Sequence, residues 1–253
     1  MSKYALVTGH LSGMGKGTYE ALQAQGYEVI GWDIADDPAV AVDVSSEESV
    51  RAGIERFPEG IQLEAVALCA GIWSEAPFMQ TSFDEYRRLM DNDMFGMFNC
   101  VQQLVPHMKN GGAFCCISSA SGQRGVAFES AYSAAKFAIC GFVEAVAREL
   151  AAAPRRLRIN AVCPFYVRTA MTTNALIEKE RLTGITVEES YALEARDVPL
   201  GYVADPADIA DFIVALLGPA SRYVTGACIP ISGGTHCGYG AVLSSFDTEE
   251  TYE

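Results

Sequence analysis

The chain has 253 residues, half of them apolar and a fifth charged, which excludes a disordered or collagen-like protein. Its 32 acidic and 18 basic side chains give a net charge of -14, so a nucleic acid or an anionic membrane would be repelled on average. No apolar stretch approaches the ~20 residues that a bilayer requires. We therefore expect a soluble, cytoplasmic protein with a small-molecule substrate and with no nucleic-acid or membrane partner.

Short apolar runs alternate with helix-length amphipathic segments, which is typical of a parallel sheet covered by helices on both faces. Strands are predicted at residues 4–8, 28–33, 40–44, 65–70, 112–118, 158–163 and 227–231. Helices are predicted at residues 15–25 and 205–217, where Asp205 can cap the second helix and Pro206 fits its first turn. The prediction is a doubly wound α/β fold of the Rossmann type with about seven strands, in a single domain over residues 1–253.

Two segments are predicted as additions to this sheet: a polar loop at residues 170–200 and an acidic C-terminal extension at residues 236–253. The eight cysteines contain no C-x-x-C pair and are interpreted as small buried hydrophobes in a reducing compartment. The three histidines lack metal-ligand spacing, so no metal site is expected. One tight basic group, Arg155, Arg156 and Arg158, is interpreted as a solvated helix end.

A glycine-rich turn follows the first predicted strand and leads directly into the first helix. Its sequence is Thr8-Gly9-His10-Leu11-Ser12-Gly13-Met14-Gly15. Glycines let the backbone approach a pyrophosphate, which the amides and dipole of a helix N-terminus then bind. The turn is therefore predicted to bind a dinucleotide; the alternative interpretation is an ordinary tight turn.

Asp33 ends the second predicted strand, where a carboxylate can accept hydrogen bonds from the hydroxyls of the adenosine ribose. The same carboxylate would repel a 2'-phosphate, and Ser12 in the glycine turn offers no cation to bind one. NAD(H) is therefore favoured over NADP(H), while a helix cap or a surface carboxylate remains the alternative for Asp33. Asp43 and Val44, at the end of the third predicted strand, are expected beside the adenine.

Tyr132 and Lys136 lie four residues apart and therefore on one face of a helix. A free tyrosine has a pKa near ~10, and a fixed ammonium beside it favours the phenolate. The pair is thus a candidate general acid/base. A solvated helix face is the alternative, because this spacing is common.

The order of these motifs resembles that of the short-chain dehydrogenase/reductase family, in its compact single-domain branch, over residues 4 to about 235. The resemblance rests on the glycine turn, Cys69-Ala70-Gly71, the set Ser119, Tyr132 and Lys136, Asn160-Ala161-Val162-Cys163-Pro164, and Tyr223-Val224-Thr225-Gly226 before Gly233-Gly234. It implies NAD(P)(H) bound across the strand ends and the reversible oxidation of an alcohol to a carbonyl.

The resemblance also implies roles for individual residues. Tyr132 would move the proton, Ser119 would donate a hydrogen bond to the substrate oxygen, and Lys136 would bind the nicotinamide ribose and lower the pKa of the tyrosine. The expected cofactor contacts, besides Asp33, Asp43, Val44, Tyr132 and Lys136, are Gly9, Ser12, Gly13, Met14, Gly15, Ala70, Gly71, Pro164, Val167 and Thr169.

Three positions depart from the family pattern. Asp93 stands where an asparagine is common, and Asn92, one residue earlier, would point elsewhere unless the helix bulges. Asp93 is therefore predicted as the fourth catalytic residue. Phe165 replaces the usual glycine after Pro164, and Cys69 replaces the asparagine of an N-A-G segment.

Substrate specificity is expected to come from residues 170–200 and 123–130. The nearby apolar and aromatic side chains, each with core as its alternative, are Trp73, Val126, Phe128, Phe165, Tyr166, Met171 and Tyr191. They predict a small, mostly apolar secondary alcohol or ketone as substrate. The alternative function, motivated by Asp93 and Phe165, is a catalytically impaired NAD-binding sensor or scaffold protein.

The helices around residues 94–108 and 132–150 carry more apolar surface than one sheet face would cover. By family resemblance this surplus, which could instead be ordinary core, implies a homodimer or homotetramer. Its members are Phe95, Phe98, Val101, Phe137, Phe142 and Val146.

Overall fold

The computed structural model describes residues 2–37 and 40–237. Its centre is a parallel sheet of β1 (Lys3–Thr8), β2 (Tyr27–Trp32), β3 (Leu63–Leu68), β4 (Met108–Ile117), β5 (Arg158–Pro164) and β6 (Cys228–Ile231). The strands pair in the order β2-β1-β3-β4-β5-β6. The winding reverses between β1 and β3, which is where open α/β sheets form a ligand crevice.

Helices cover both faces of this sheet, so the predicted doubly wound α/β architecture is confirmed. Their bounds are α1 (Gly13–Ala24), α2 (Glu47–Glu55), α3 (Phe83–Leu89), α4 (Gly96–Leu104), α5 (Ser130–Ala152), α6 (Ala170–Thr183), α7 (Val187–Arg196) and α8 (Pro206–Leu217). Among the helices of the described residues, none has both the length and the apolar character that a membrane span needs.

Two hydrophobic cores lie on opposite faces of the sheet, because alternate side chains of each strand point to opposite sides. Leu6 of β1 and Val66 of β3 pack with α2, α4 and α5 on one face. Val7 of β1 and Ala67 of β3 pack with α1 and α8 on the other. The predicted cap of α8 is also present, with Asp205 at the N-cap and Pro206 in the first turn.

The structure forms no strand at residues 40–44, so the strand predicted there is wrong. The amides of Val40 and Ala41 both donate to the carbonyl of Asp37 in a local turn, so neither is available to a neighbouring strand. The amide of Val42 alone reaches back to the carbonyl of Asp33, at 3.1 Å. Val42 and Val44 are nevertheless buried, which accounts for the apolar pattern without a hydrogen-bonded ladder. The described sheet therefore has six strands rather than seven.

The segment at residues 170–200 folds as two helices, α6 and α7, and is not an irregular loop. Leu176 and Tyr191 form a small core of their own with Val203, packed against Tyr166. Tyr191 is therefore a core residue of this unit rather than a pocket wall. The predicted extension at residues 236–253 lies outside the described residues beyond Cys237.

The interpretation of Arg155, Arg156 and Arg158 as a solvated helix end is wrong for two of the three. Arg155 donates to the carbonyl of Met108 at 2.6 Å. The guanidinium of Arg158, at the start of β5, donates to the carbonyls of Leu216 and Leu217 at 3.0 and 3.3 Å. It thereby satisfies carbonyls that the end of α8 leaves without helical partners. Further acceptors of Arg158 are Gly218, Ser221 and Val224.

We predict that Arg158→Ala lowers the free energy of unfolding by about 2–4 kcal/mol, because a network of hydrogen bonds from one charged group is removed: Leu217 loses its side-chain donor, and Leu216, Gly218 and Val224 keep only Ser221 or Asn160. Urea denaturation followed by circular dichroism at a fixed protein concentration measures the change. Arg156→Ala is the matched control, since Arg156 is exposed, and should change the free energy by less than about 0.5 kcal/mol. Equal effects of the two substitutions would contradict the role given to Arg158.

Candidate active site

The glycine turn joins the ends of β1 and β3. The hydroxyl of Thr8 accepts hydrogen bonds from the amides of Cys69 and Ala70, both at 3.0 Å. Gly9 adopts φ +68, and a Cβ there would lie 3.0 Å from the amide nitrogen of Ala70. A Cβ on Gly15 would overlap the carbonyl oxygen of Gly9. The backbone is therefore packed as closely as the glycines allow.

Helix α1 begins directly after this turn, with Ser12 at the N-cap. The side chain of Ser12 makes no capping hydrogen bond, so the first amides of α1 are open to an anion. Gly13 adopts φ +51 beside Thr169, which brings the loop after β5 against the turn. These features fit a pyrophosphate held by backbone amides.

A cleft of about 210 Å³ opens above the glycine turn. It is lined by most of the residues predicted to bind the cofactor: Gly9, Ser12, Gly13, Met14, Gly15, Asp33, Val44, Ala70, Gly71 and Thr169. Among further lining residues that sequence reasoning missed are Trp32, Ile34, Val42, Ile72 and Asn92. Ile34 and Ile72 each directly follow a predicted residue, and that adjacency is the one signal that could have indicated them.

The other predicted cofactor residues do not line this cleft. Asp43 is exposed, and its carboxylate accepts hydrogen bonds from the amide and the hydroxyl of Ser45 at 2.9 and 2.6 Å. Pro164 and Val167 are buried at and after the end of β5. The cofactor contacts of these three residues remain predictions.

Asp33 directly follows β2 at the rim of the cleft and caps no helix. Its two carboxylate oxygens accept the amides of Leu11 and Ala35 at 3.2 and 3.0 Å, which ties the glycine turn to the loop after β2. Asp36 lies close by, 3.6 Å from the ring of His10. The carboxylate of Asp33 therefore lies at the cleft, where it was predicted to meet the ribose, whereas Asp36 is not among the lining residues.

The candidate catalytic residues come from three elements. Ser119 follows β4, and Tyr132 and Lys136 lie in the first two turns of α5. Lys136 is only 4% exposed, and its ammonium lies 5.3 Å from the centre of the Tyr132 ring. The ammonium donates to the carbonyl of Ile117 at 3.2 Å and lies 2.9 Å from a carboxylate oxygen of Asp93.

Asp93 reaches Lys136 because the helix between α3 and α4 bulges. Residues Met90–Phe95 form a π-helical segment, which adds a residue to the turn and changes which side chains face inward. Asp93 is 1% exposed, and its second carboxylate oxygen accepts the amide of Ile72 at 2.8 Å. Asn92 instead lines the cofactor cleft. The bulge therefore brings both side chains to the site, and Asp93 is the one that contacts Lys136.

The charges of this cluster oppose one another at Tyr132. Burial raises the pKa of Tyr132, the ammonium of Lys136 lowers it, the carboxylate of Asp93 raises it, and the hydroxyl of Ser119 lowers it; the net direction is upward. Burial is the largest single effect on Lys136 and lowers its pKa, but the charge and hydrogen bond of Asp93 together with Tyr132 and Cys163 raise it by more, so the net direction is again upward. Without a ligand the site therefore holds an ammonium and a protonated phenol.

A family model described as enoyl-(acyl carrier protein) reductase matches residues 9–236. The acetoacetyl-CoA reductase of Shinella zoogloeoides is 31% identical, over 92% of this chain and 98% of that protein.

Two solved structures have the same fold. The ligand-free aldohexose dehydrogenase of Thermoplasma acidophilum superposes with a TM-score of 0.87 and 26% identity, over 94% of this chain and 95% of that one. A variant of actinorhodin polyketide ketoreductase with NADPH superposes with a TM-score of 0.82 and is 25% identical, over 92% of this chain and 97% of that one. Together with the site described above, these matches show that the chain belongs to the short-chain dehydrogenase/reductase family of oxidoreductases, whose fold implies a nicotinamide nucleotide cofactor.

Proposed function

We propose that this protein is an NAD(H)-dependent oxidoreductase that interconverts a small, mostly apolar secondary alcohol and its ketone, with Tyr132 as the general acid/base. The observation that carries the proposal is the placement of Tyr132 beside a buried ammonium held by Asp93. The ends of β3 and β4 join this cluster to the glycine-lined cleft, since Ile72 and Ile117 bond to Asp93 and Lys136.

The residues of the cleft fit a dinucleotide. The amides at the start of α1 would bind the pyrophosphate, and the carboxylate of Asp33 would accept the ribose hydroxyls. When bound, the nicotinamide supplies the two-electron chemistry by giving or taking a hydride. Lys136 would hold the adjoining ribose, and Thr169, at the rim of the cleft, would contact the nicotinamide end.

The protein's own side chains would transfer the proton. Tyr132 would donate its phenolic proton to the substrate oxygen in reduction and accept it in oxidation, while Ser119 would stabilise the charge that develops on that oxygen. Because the net direction of the pKa of Tyr132 is upward, the phenol is available as a donor near neutral pH.

The loop after β5, which we propose as one wall of the substrate site, is aromatic and has carboxylates near it. Phe165 and Tyr166 are half-buried and contact each other in the loop after β5. Burial raises the pKa of Tyr166, and the nearby carboxylates of Glu194, Glu75 and Glu129 raise it further. A wall of this kind supports an uncharged substrate and disfavours an anionic thioester.

A sensor without turnover is the second candidate function, and the ion pair between Lys136 and Asp93 is the observation that favours it. A carboxylate 2.9 Å from the ammonium partly cancels the charge that would otherwise favour a phenolate. Such a protein would bind the dinucleotide but have no rate to lose when Tyr132 is changed.

We also propose that the protein is cytoplasmic and assembles as a homodimer or homotetramer through α4, α5 and the segment before them. Phe95, Phe98 and Phe137 are between 37% and 45% exposed, which is unusual for such large apolar side chains. Val101 is an exception among the residues predicted for this interface, because it is buried in the core beneath it.

We predict that Tyr132→Phe lowers turnover by about 10²–10⁴-fold, because the hydroxyl that transfers the proton is removed. The assay is a panel of secondary alcohols and ketones, with cyclohexanone, carvone and acetoacetyl-CoA among them, followed by the absorbance of the reduced nicotinamide. NADH affinity, measured by fluorescence titration, should remain within about threefold, since the phenol contributes little to cofactor affinity. Unchanged turnover would contradict the proposed function.

The preference for NAD(H) should depend on the charge of Asp33. Asp33→Asn keeps an acceptor for the amide of Leu11 but removes the repulsion of a 2'-phosphate, so NADPH should gain about tenfold in affinity relative to NADH. Isothermal titration with both cofactors measures the ratio. Asp211→Asn on the exposed side of α8 is the charge-matched control and should leave it unchanged. Tighter binding of NADPH by the wild-type protein would show that the role of Asp33 is wrong.

The pH dependence of alcohol oxidation should depend on Asp93. Asp93→Asn removes a negative charge that raises the pKa of Tyr132, so the acidic limb of the rate profile should move to lower pH. The shift should be about one pH unit, equivalent to roughly 1.4 kcal/mol of electrostatic interaction. Circular dichroism checks that the variant is folded, because the buried ammonium loses its counter-ion. A profile that does not move would contradict the electrostatic role of Asp93.

A further inference from the structure

Glu129 connects three segments of the chain: the loop after β3, the turn after β4 and the start of α5, which carries Tyr132. It immediately precedes α5, and one carboxylate oxygen accepts the indole N–H of Trp73 at 2.8 Å. The other accepts the hydroxyl of Ser121 at 2.6 Å. Trp73 belongs to the loop after β3 and Ser121 to the turn after β4. One half-buried carboxylate therefore connects both loops to the start of the catalytic helix.

The backbone before Glu129 is held in an unusual conformation. Phe128 adopts φ +68, which is rare and strained for a bulky residue. Its carbonyl accepts the amide of Ala76 at 2.8 Å, and the carbonyl of Glu129 accepts the amide of Ser133 at 2.7 Å. Such strain persists where surrounding bonds over-determine it. The chain thus maintains the orientation of Glu129 at some energetic cost.

The carboxylate of Glu129 also acts on the phenol three residues later. The groups that face Tyr132 are Lys136 of its own helix, Asp93 of the π-helical segment, Ser119 after β4 and Glu129. After burial, which has the largest effect, the negative charges of Asp93 and Glu129 raise the pKa of Tyr132, whereas Lys136 and Ser119 lower it. The hydrogen-bond donors to Glu129, Trp73 and Ser121, are uncharged, so its negative charge is not neutralised by them.

We propose that Glu129 is a positioning residue of this active site: its carboxylate fixes Trp73 and Ser121, and with them the loops after β3 and β4, against the start of α5, and its negative charge acts on Tyr132. This inference rests on the proposed function, because it concerns the same tyrosine. It adds a role for a residue that lies outside the set formed by Ser119, Tyr132, Lys136 and Asp93.

Glu129→Gln separates the charge from the geometry. The amide oxygen can still accept the indole N–H of Trp73, and the amide nitrogen can donate to the hydroxyl of Ser121, which also acts as an acceptor. Glu129→Ala removes both the charge and the bonds. Glu149→Gln, on the exposed face near the other end of α5, is the charge-matched control.

The first experiment observes Tyr132 directly, by NMR of the full chain labelled with carbon-13 at the tyrosine ζ position. Tyr132→Phe identifies the resonance, which is followed up to the highest pH at which circular dichroism shows an intact fold. In Glu129→Gln the phenol should ionise at a pH lower by about half a unit, as expected for one partly screened charge. Glu149→Gln should titrate like the wild type. Identical titration of Glu129→Gln and the wild type would overturn the electrostatic role.

The second experiment observes the contact between Glu129 and Trp73 through tryptophan fluorescence. The chain has two tryptophans, of which Trp32 is 3% exposed, and Trp73→Phe isolates the contribution of Trp73. Emission from Trp73 should shift in Glu129→Ala and remain close to the wild type in Glu129→Gln. An unchanged spectrum in Glu129→Ala would overturn the positioning role. Neither experiment needs a cofactor or a substrate, so failure here is distinguishable from failure of the proposed function, which is tested by turnover.

Discussion

The catalytic end of this protein depends on one buried ion pair. Lys136 is 4% exposed and Asp93 1%, and an ammonium so far from water requires a counter-ion and further acceptors. Lys136 finds them in Asp93 and in the carbonyl of Ile117, while Asp93 also accepts the amide of Ile72. The pair therefore joins α5, the π-helical segment and the loops after β3 and β4. Removing either charge would leave the other buried and unpaired.

The sheet explains why this ion pair lies next to the cofactor cleft. β3 is adjacent to both β1 and β4, so the loop after β3 borders the glycine turn on one side and the catalytic residues on the other. Thr8 bonds to the start of this loop, Asp93 bonds to Ile72 within it, and Trp73 follows directly and bonds to Glu129. A short segment after a central strand thus connects the place that binds the dinucleotide to the place that moves the proton.

The sequence could predict those features that depend on local pattern. Six of the seven predicted strands are present because buried parallel strands have continuous apolar runs. Residues 40–44 have a similar pattern, but only Val42 and Val44 are buried, and they form no hydrogen-bonded ladder. The role of Arg158 depends on the end of α8, far away in sequence, and no local pattern indicates it. Asp93 was predicted from its place in the family pattern and does contact Lys136, whereas the π-helical bulge, and with it the position of Asn92 at the cofactor cleft, could not be predicted from helical spacing. Glu129 carried no signal, since its partners come from two other loops.

The two carboxylates near Tyr132 differ in a way that matters for the chemistry. Asp93 is paired with the ammonium, so it orders the site and weakens the effect of Lys136 on the phenol. Glu129 is bonded to uncharged donors, and its charge acts on the phenol without a neutralising partner among them. The spacing of Tyr132 and Lys136 alone favours a phenolate, but burial of the phenol, with a smaller contribution from the two carboxylates, raises the pKa of Tyr132 and reverses the outcome. The protonation of the tyrosine is therefore a property of the tertiary structure, because the residues that decide it come from separate elements.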